Sequence, residues 1–314
     1  MVGLAAIGIV AFGGFLAYAS NQAATFLAQS LTVGGETAQG SGWPAPQGPQ
    51  DIGYVGDPGA AFGYAFEEIA LAADIGDMPA WLVPPEGGNQ GAERWAIFVH
   101  GIGGRRENGY RFLPVLHEAG LPVLMLSYRN DEGAPAAPEG VHAFGLTEWQ
   151  DLDAAVAYAL ANGAGSVVLV AESMGGGIVG QFLRRSPRAE RVGAIVLDAP
   201  AIDFPGVMLD QMRRLGVPLA GLVGRGGTWL FAWRTGVDFG DAVVTGPLAG
   251  FTGPLFLSHG AADRLVPIET SDWLARERRS PTDYLRTEAD HILSWKEDPA
   301  RYDAALSGFL ATLP

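Results

Sequence analysis

The chain has 314 residues, 48% of them hydrophobic and 17% charged, enough to bury a large core in one α/β domain with extensions or in two small domains. Its formal charge of −14 lacks the clustered cations that nucleic-acid binding requires, and the acidity reads as solubility or as a salt-adapted surface. The absence of cysteine excludes disulfides, thiolate zinc sites and a cysteine nucleophile.

Residues 2–19 are apolar without interruption, and the first cationic residue is Arg94. Eighteen such residues are about enough to cross a bilayer as a helix. The run predicts a membrane anchor formed by one N-terminal helix, with the extracytoplasmic side favoured. A secretory signal cleaved after Ala17-Tyr18-Ala19 is the alternative, although no cationic n-region precedes it. A buried soluble helix is the third reading. As an anchor, the segment 1–32 is expected to be dispensable for folding, so that removal through about residue 30 leaves a soluble, active protein. Residues 33–63, rich in Gly, Pro, Gln and Ser, read as a linker.

From residue 64 the pattern becomes regular. Two early strands, "AFEEIALAAD" and "MPAWLVPP", form a predicted hairpin. Six more follow: "WAIFVH", "LPVLMLSY", "SVVLVA", "VGAIVLD", "PLFLSH" and "TDYLRT". Several are continuous apolar runs, as strands of a parallel sheet covered on both faces should be. Helical stretches lie between them, including "LTEWQDLDAAVAYALANG" and a last helix over 298–312. Strands alternating with helices indicate βαβ units and a mostly parallel sheet of eight strands. The alternation breaks over 201–250, which is studded with apolar side chains and predicts a helical lid; helical packing over the sheet edge is the rival reading. As a lid, it is expected to line an acyl pocket, with Trp233 among its walls.

The chemistry concentrates at strand ends. Ala171-Glu172-Ser173-Met174-Gly175 has the form small-x-Ser-x-Gly between a strand and a helix, the pattern of a nucleophile elbow. The glycines that follow are poor helix formers, so their presence implies close approach to neighbouring strands. "FVHGIGG" ends an earlier strand in the loop that supplies one backbone N–H of an oxyanion hole, with Ile102 as first choice and Gly103 as second. Met174, next after the serine, supplies the other. Asp263 and His291 each sit just past a later strand, in the order nucleophile, acid, base. His100 and His259, each closing a strand ahead of glycine, read as structural. Asp198 is an alternative acid. No histidine cluster has metal-site spacing and no glycine loop carries a phosphate-binding lysine, so neither metal nor cofactor is expected.

With "HGIGG", "AESMGG", "GAADRLVP", "ADHILSW" and "LMLSYRND", the chain from about residue 60 onward resembles the α/β-hydrolases. It is most similar to bacterial lipase-like, esterase-like and serine-aminopeptidase-like members that carry an N-terminal hydrophobic segment. The resemblance implies an α/β-hydrolase domain over 64–314 and a Ser173–His291–Asp263 triad. It also implies a carboxylic ester substrate, with an apolar acyl group favoured. The alternatives are an amidase or aminopeptidase, for which Glu172 is a candidate amine anchor, and a non-catalytic binding protein of the same fold.

Overall fold

The computed structural model describes residues 2–33, 45–89 and 91–313, with side chains from Ile9 onward. Eight strands form one sheet: β1 (Glu67–Ala73), β2 (Gly76–Val83), β3 (Arg94–Val99), β4 (Val123–Leu126), β5 (Ser166–Glu172), β6 (Val192–Asp198), β7 (Leu255–Gly260) and β8 (Thr282–Thr287). Their order across the sheet is β1-β2-β4-β3-β5-β6-β7-β8. Only β2 runs against the other strands, pairing antiparallel with both β1 and β4. The central strands β3 and β5–β7 are the continuous apolar runs, and each is buried along almost its whole length. All eight predicted strands are present within a few residues of their expected bounds. The largest change is at β4, where Ser127 and Tyr128 leave the ladder to enter the loop above the sheet.

The helices are α1 (Val2–Leu31), α2 (Pro58–Phe62), α3 (Leu113–Glu118), α4 (Trp149–Ala161), α5 (Met174–Arg185), α6 (Phe204–Arg214), α7 (Ala220–Thr235), α8 (Thr245–Gly250), α9 (Glu269–Glu277), α10 (Ser294–Glu297) and α11 (Pro299–Ala311). Each face of the sheet carries its own apolar cluster. One gathers α4, α5 and parts of the 201–250 insertion around Trp95, Phe182, Phe231 and Phe239. The other gathers α3 and α11 around Phe98, Phe112, Phe256 and Tyr302. This doubly covered sheet explains why the strands read as apolar runs rather than as alternating ones.

The N-terminal helix departs from the expectation of a dispensable tether. Ser20, Ala24, Leu27 and Leu31 recur at helical spacing, and all four are buried. Ala24, Leu27 and Leu31 belong to the larger core cluster. Small residues make the close packing possible: a Cβ on Gly227 would meet that of Ala23 at 2.7 Å, and one on Gly226 would collide with Ser20. After α1 the chain is stitched to the body, with His142 N–H donating to Leu31 C=O at 2.9 Å and Val33 N–H to Gly140 C=O at 3.2 Å. The physical reason for the departure is that an uncharged helix with a small-residue face can pack on another helix as readily as on lipid. Among the described residues, no helix is long and apolar enough to cross a membrane.

This packing makes a prediction. Removing residues 2–19 should leave a cooperatively folding domain, whereas removing residues 2–32 should expose the α7 face and the core beneath it. Leu27→Ala in the full chain should cost about 2–5 kcal/mol, the range for a buried leucine, measured by denaturant unfolding. Equal midpoints for the full chain and the longer truncation would refute a structural role for α1.

Candidate active site

Ser173 is the residue on which β5 turns into α5. Its φ of 48° and ψ of −120° lie in a region that costs a non-glycine residue about 1–3 kcal/mol. The turn is held by its own backbone: Ser173 N–H donates to Asp198 C=O at 3.0 Å, and Ser173 C=O accepts from Ala201 N–H at 2.8 Å and Gly176 N–H at 3.0 Å. The following glycines are contact points. A Cβ on Gly175 would drive into the carbonyls of Val99 and His100, and one on Gly176 would meet Pro200 Cβ at 2.5 Å. The helix therefore starts against the ends of β3 and β6, where a side chain would push it off the sheet.

The structure brings Ser173, His291 and Asp263 together. His291 Nε2 lies 2.9 Å from Ser173 Oγ, and His291 Nδ1 lies 2.7 Å from Asp263 Oδ2. A carboxylate only accepts, so Nδ1 carries the ring proton and Nε2 is free to accept from the serine hydroxyl. Asp263 Oδ1 takes the N–H groups of Leu265 and Val266, each at 2.8 Å. His259, read from sequence as structural, is a further partner of the same carboxylate. Its Nε2 faces Asp263 Oδ2 at 3.0 Å and Val266 C=O at 3.2 Å, while its Nδ1 faces Ser271 Oγ at 2.7 Å. Nε2 between two acceptors is a donor. Burial alone would raise the Asp263 pKa, but the hydrogen bonds from His259 and His291 hold it far below the usual carboxylate range.

The loop after β3 stands directly beside the serine, since a Cβ on Gly101 would meet Ser173 Cβ at 2.9 Å. Both sides of Gly101 are clamped. Its N–H donates to Glu172 Oε1 at 3.2 Å. Its C=O accepts from His100 Nδ1 at 2.8 Å and from the Tyr128 hydroxyl at 3.1 Å. The peptide is trans, so the Ile102 N–H points opposite to that fixed carbonyl. Met174 N–H is in the first turn of α5, where a helix has no internal partner for it. No hydrogen bond to either N–H is present among the described residues. Gly103, the second choice for an oxyanion donor, lines the cleft with Ile102.

Two other carboxylates are committed to buried partners beneath the site. Glu172 accepts from Gly101 N–H, from Asn108 Nδ2 at 2.7 Å and from Arg111, which is itself buried. Burial would raise its pKa, yet the Arg111 guanidinium and these donors lower it, so it stays ionised. Asp198 pairs with Arg111 at 3.0 Å and accepts from Ser258 Oγ at 2.8 Å. The alternative acid and the candidate amine anchor are thus both committed to Arg111. Asp290 binds Arg264 and the backbone N–H of His291 rather than its ring.

Ser173 and His291 open into a cleft of about 300 Å³ walled by Ile52–Val55, Ile102–Arg105, Leu265 and Ile292. The wall at 52–55 comes from the stretch read as a linker, which its Gly and Pro content concealed. None of the residues lining this cleft comes from 201–250, and Trp233 is 76% exposed. The expectation that the insertion lines an acyl pocket is therefore corrected: its buried residues Val223 and Phe231 face the sheet and α1, and its tryptophans face outward.

A model described as the alpha/beta hydrolase fold matches residues 96–219 of the chain. The fold is that of an α/β-hydrolase. Among solved structures, esterase Pf2001 of Pyrococcus furiosus is similar at 18% identity, over 85% of this chain and 99% of its own, with a TM-score of 0.63. Est1E of Butyrivibrio proteoclasticus, solved with ferulic acid bound, is similar at 16% identity over 78% and 98%, with a TM-score of 0.60. A bacterial membrane phospholipase A is similar at 20% identity over 78% and 86%, with a TM-score of 0.52. No curated protein matches the chain. At these identities the α/β-hydrolase likeness is one of fold, and the chemistry rests on the site itself.

The Arg111 network yields a prediction. Glu172→Gln should destabilise the protein by about 1–3 kcal/mol, because the amide offers one acceptor oxygen to the buried Gly101, Asn108 and Arg111 donors and turns its own NH2 toward one of them. Turnover per folded molecule should fall as well, through a loosened Gly101 loop. Urea unfolding alongside active-site titration measures both, and an unchanged unfolding midpoint would show the network to be dispensable.

Proposed function

We propose that this chain is a serine hydrolase of carboxylic esters. The observation that carries the reading is His291, which bridges Ser173 Oγ and Asp263 Oδ2 at hydrogen-bond distance at the floor of the cleft. His291 Nε2 takes the hydroxyl proton as Ser173 Oγ attacks the ester carbonyl carbon. Asp263 keeps the imidazole in the accepting tautomer and stabilises it once charged. The carbonyl oxygen becomes an oxyanion, and the N–H groups of Ile102 and Met174 are its proposed donors. His291 then returns the proton to the leaving alcohol, and an acyl-serine remains. Water, deprotonated by the same imidazole, attacks this acyl-enzyme; the carboxylic acid leaves and Ser173 recovers its proton.

Apolar side chains at Ile52, Val55, Leu265 and Ile292 support an ester with an apolar acyl group. The esterases among the similar structures support an ester substrate. Glu172 is buried and already bonded to Gly101, Asn108 and Arg111, which disfavours it as an anchor for a peptide amine. The apolar run 2–19 supports placing the hydrolase at a membrane.

Ser173→Ala should abolish turnover of short nitrophenyl esters and labelling by a fluorophosphonate, with the unfolding midpoint little changed. Asp263→Asn should lower kcat by about 10⁴-fold, through loss of the correct tautomer and of the negative charge. Asp198→Asn should act on stability, not on the imidazole. Normal turnover in Ser173→Ala, or equal kcat losses in the two aspartate variants at equal folded fraction, would defeat the assignment.

A further inference from the structure

Large apolar side chains are unevenly distributed over the surface. Of the thirteen that are exposed among the described residues, eleven lie on α1, on α7 or in the α6–α7 connection. On α7 they form one stripe: Leu219, Leu222, Trp229 and Trp233 recur at spacings of three, seven and four. The opposite stripe of Ala220, Val223, Gly227 and Phe231 is buried against α1 and the core. Ile9, Val10, Phe12, Phe15, Tyr18 and Phe26 extend the exposed apolar surface along α1. The remaining two exposed side chains, Val55 and Leu265, line the catalytic cleft. A tie joins the two regions, because Gln211 Nε2 on α6 donates to Leu265 C=O at 3.0 Å and to Arg264 C=O at 2.7 Å.

The charge of this face is opposite to that of the molecule. Residues 204–235 hold Arg213, Arg214, Arg225 and Arg234 against Asp210 alone, which is +3 (four minus one) within a chain of −14. Asp210 is paired with Arg214. Arg213 and Arg225 have no carboxylate partner among the described residues, and Arg234 binds the neutral side chain of Asn21 at 2.6 Å. Residues 9–31 of α1 carry no charge at all.

From these features we infer that the α1–α7 pair, with the end of α6, is a docking face for an anionic lipid surface, and that it holds the cleft at that surface. Exposed tryptophans beside arginines on a helix lying flat fit the headgroup boundary, where amphipathic rings and guanidinium groups are both satisfied. Like charges would oppose a second copy of the same face, whereas anionic headgroups complement it. The inference rests on the hydrolase reading only for what the surface delivers to the cleft.

The test uses the full chain with vesicles of phosphatidylcholine alone and of phosphatidylcholine with phosphatidylglycerol. Co-sedimentation and quenching of tryptophan fluorescence by brominated lipids are the readouts. Wild-type protein should bind the anionic vesicles more tightly and be quenched there. Trp229→Ser with Trp233→Ser should remove most of the quenching and weaken binding at least about tenfold. Arg213→Gln with Arg225→Gln should remove the preference for phosphatidylglycerol, at about 1 kcal/mol per charge or roughly 30-fold together. Equal binding and quenching of wild type and both variants would overturn the inference, as would no binding by any of them. A tryptophan-dependent dimer in sedimentation velocity without vesicles would overturn it in favour of self-association. Turnover of a short soluble ester, measured on the same samples, should be unchanged in both variants; its absence in wild type would count against the hydrolase reading and leave the docking result standing.

Discussion

Two carboxylates sit side by side at the ends of adjacent buried strands. Glu172 and Asp198 are register partners on β5 and β6, and neither is exposed to solvent. Two such anions in a poorly polarisable interior repel strongly and would each incur several kcal/mol of desolvation. Arg111 lies between them and is bonded to both, which makes the pair tolerable. Because Glu172 also holds Gly101 N–H and Asn108, the same interaction fixes the loop after β3 against the end of β5. The close approach of the Gly101 loop to Ser173 is therefore supported by a buried ion network. His100 supports the other side: burial would lower its pKa, but Asp131 raises it, keeping a donor on the Gly101 carbonyl.

Close backbone approach is the complementary constraint. Gly175 and Gly176 let α5 begin hard against β3 and Pro200. Ser173 itself takes the positive φ that the turn demands, and three hydrogen bonds through its own N–H and C=O hold it there. Strain of that size persists only where the surroundings over-determine it. Here they do, through the C-terminal ends of β5 and β6 and the start of α5.

The central strands were legible because burial on both faces leaves a continuous apolar run, which local pattern alone can detect. The positions of Ser173, Asp263 and His291 were legible too, since each follows a strand end and the order of the three is distinctive. Other parts depend on contacts that no local pattern carries. Arg111 looks like any arginine in a short turn, and only the fold places it between Glu172 and Asp198. His259 lies four residues before Asp263, but its role depends on the loop folding back so that Nε2 meets the carboxylate. Ile52–Val55 sits in a Gly- and Pro-rich stretch that reads as linker, yet α2 and Tyr110 pin it beside the cleft; the Tyr110 hydroxyl donates to Gly56 C=O at 2.6 Å. The apolar character of α1 was visible, but the small-residue face that packs it on α7 needs the partner helix to be interpreted.

The distribution of charge has a consequence for orientation at a lipid surface. Excluding residues 204–235, the formal charge of the rest is −17 (−14 minus +3), so a uniform long-range field would push the protein away from anionic headgroups. At physiological ionic strength the Debye length is only about 8 Å, much less than the width of this domain. Acidic groups on the far side of the sheet are therefore screened, while arginines on α6 and α7 act at contact distance. The orientation that brings α1 and α7 to the surface is the one in which these arginines meet the headgroups. Gln211 ties the same helices to the segment that carries Asp263 and Leu265, so this orientation also sets the height of the cleft above the lipid. An uncharged α1 is then an asset in this position, because it adds apolar area to the face without adding an acid that would weaken its electrostatic preference.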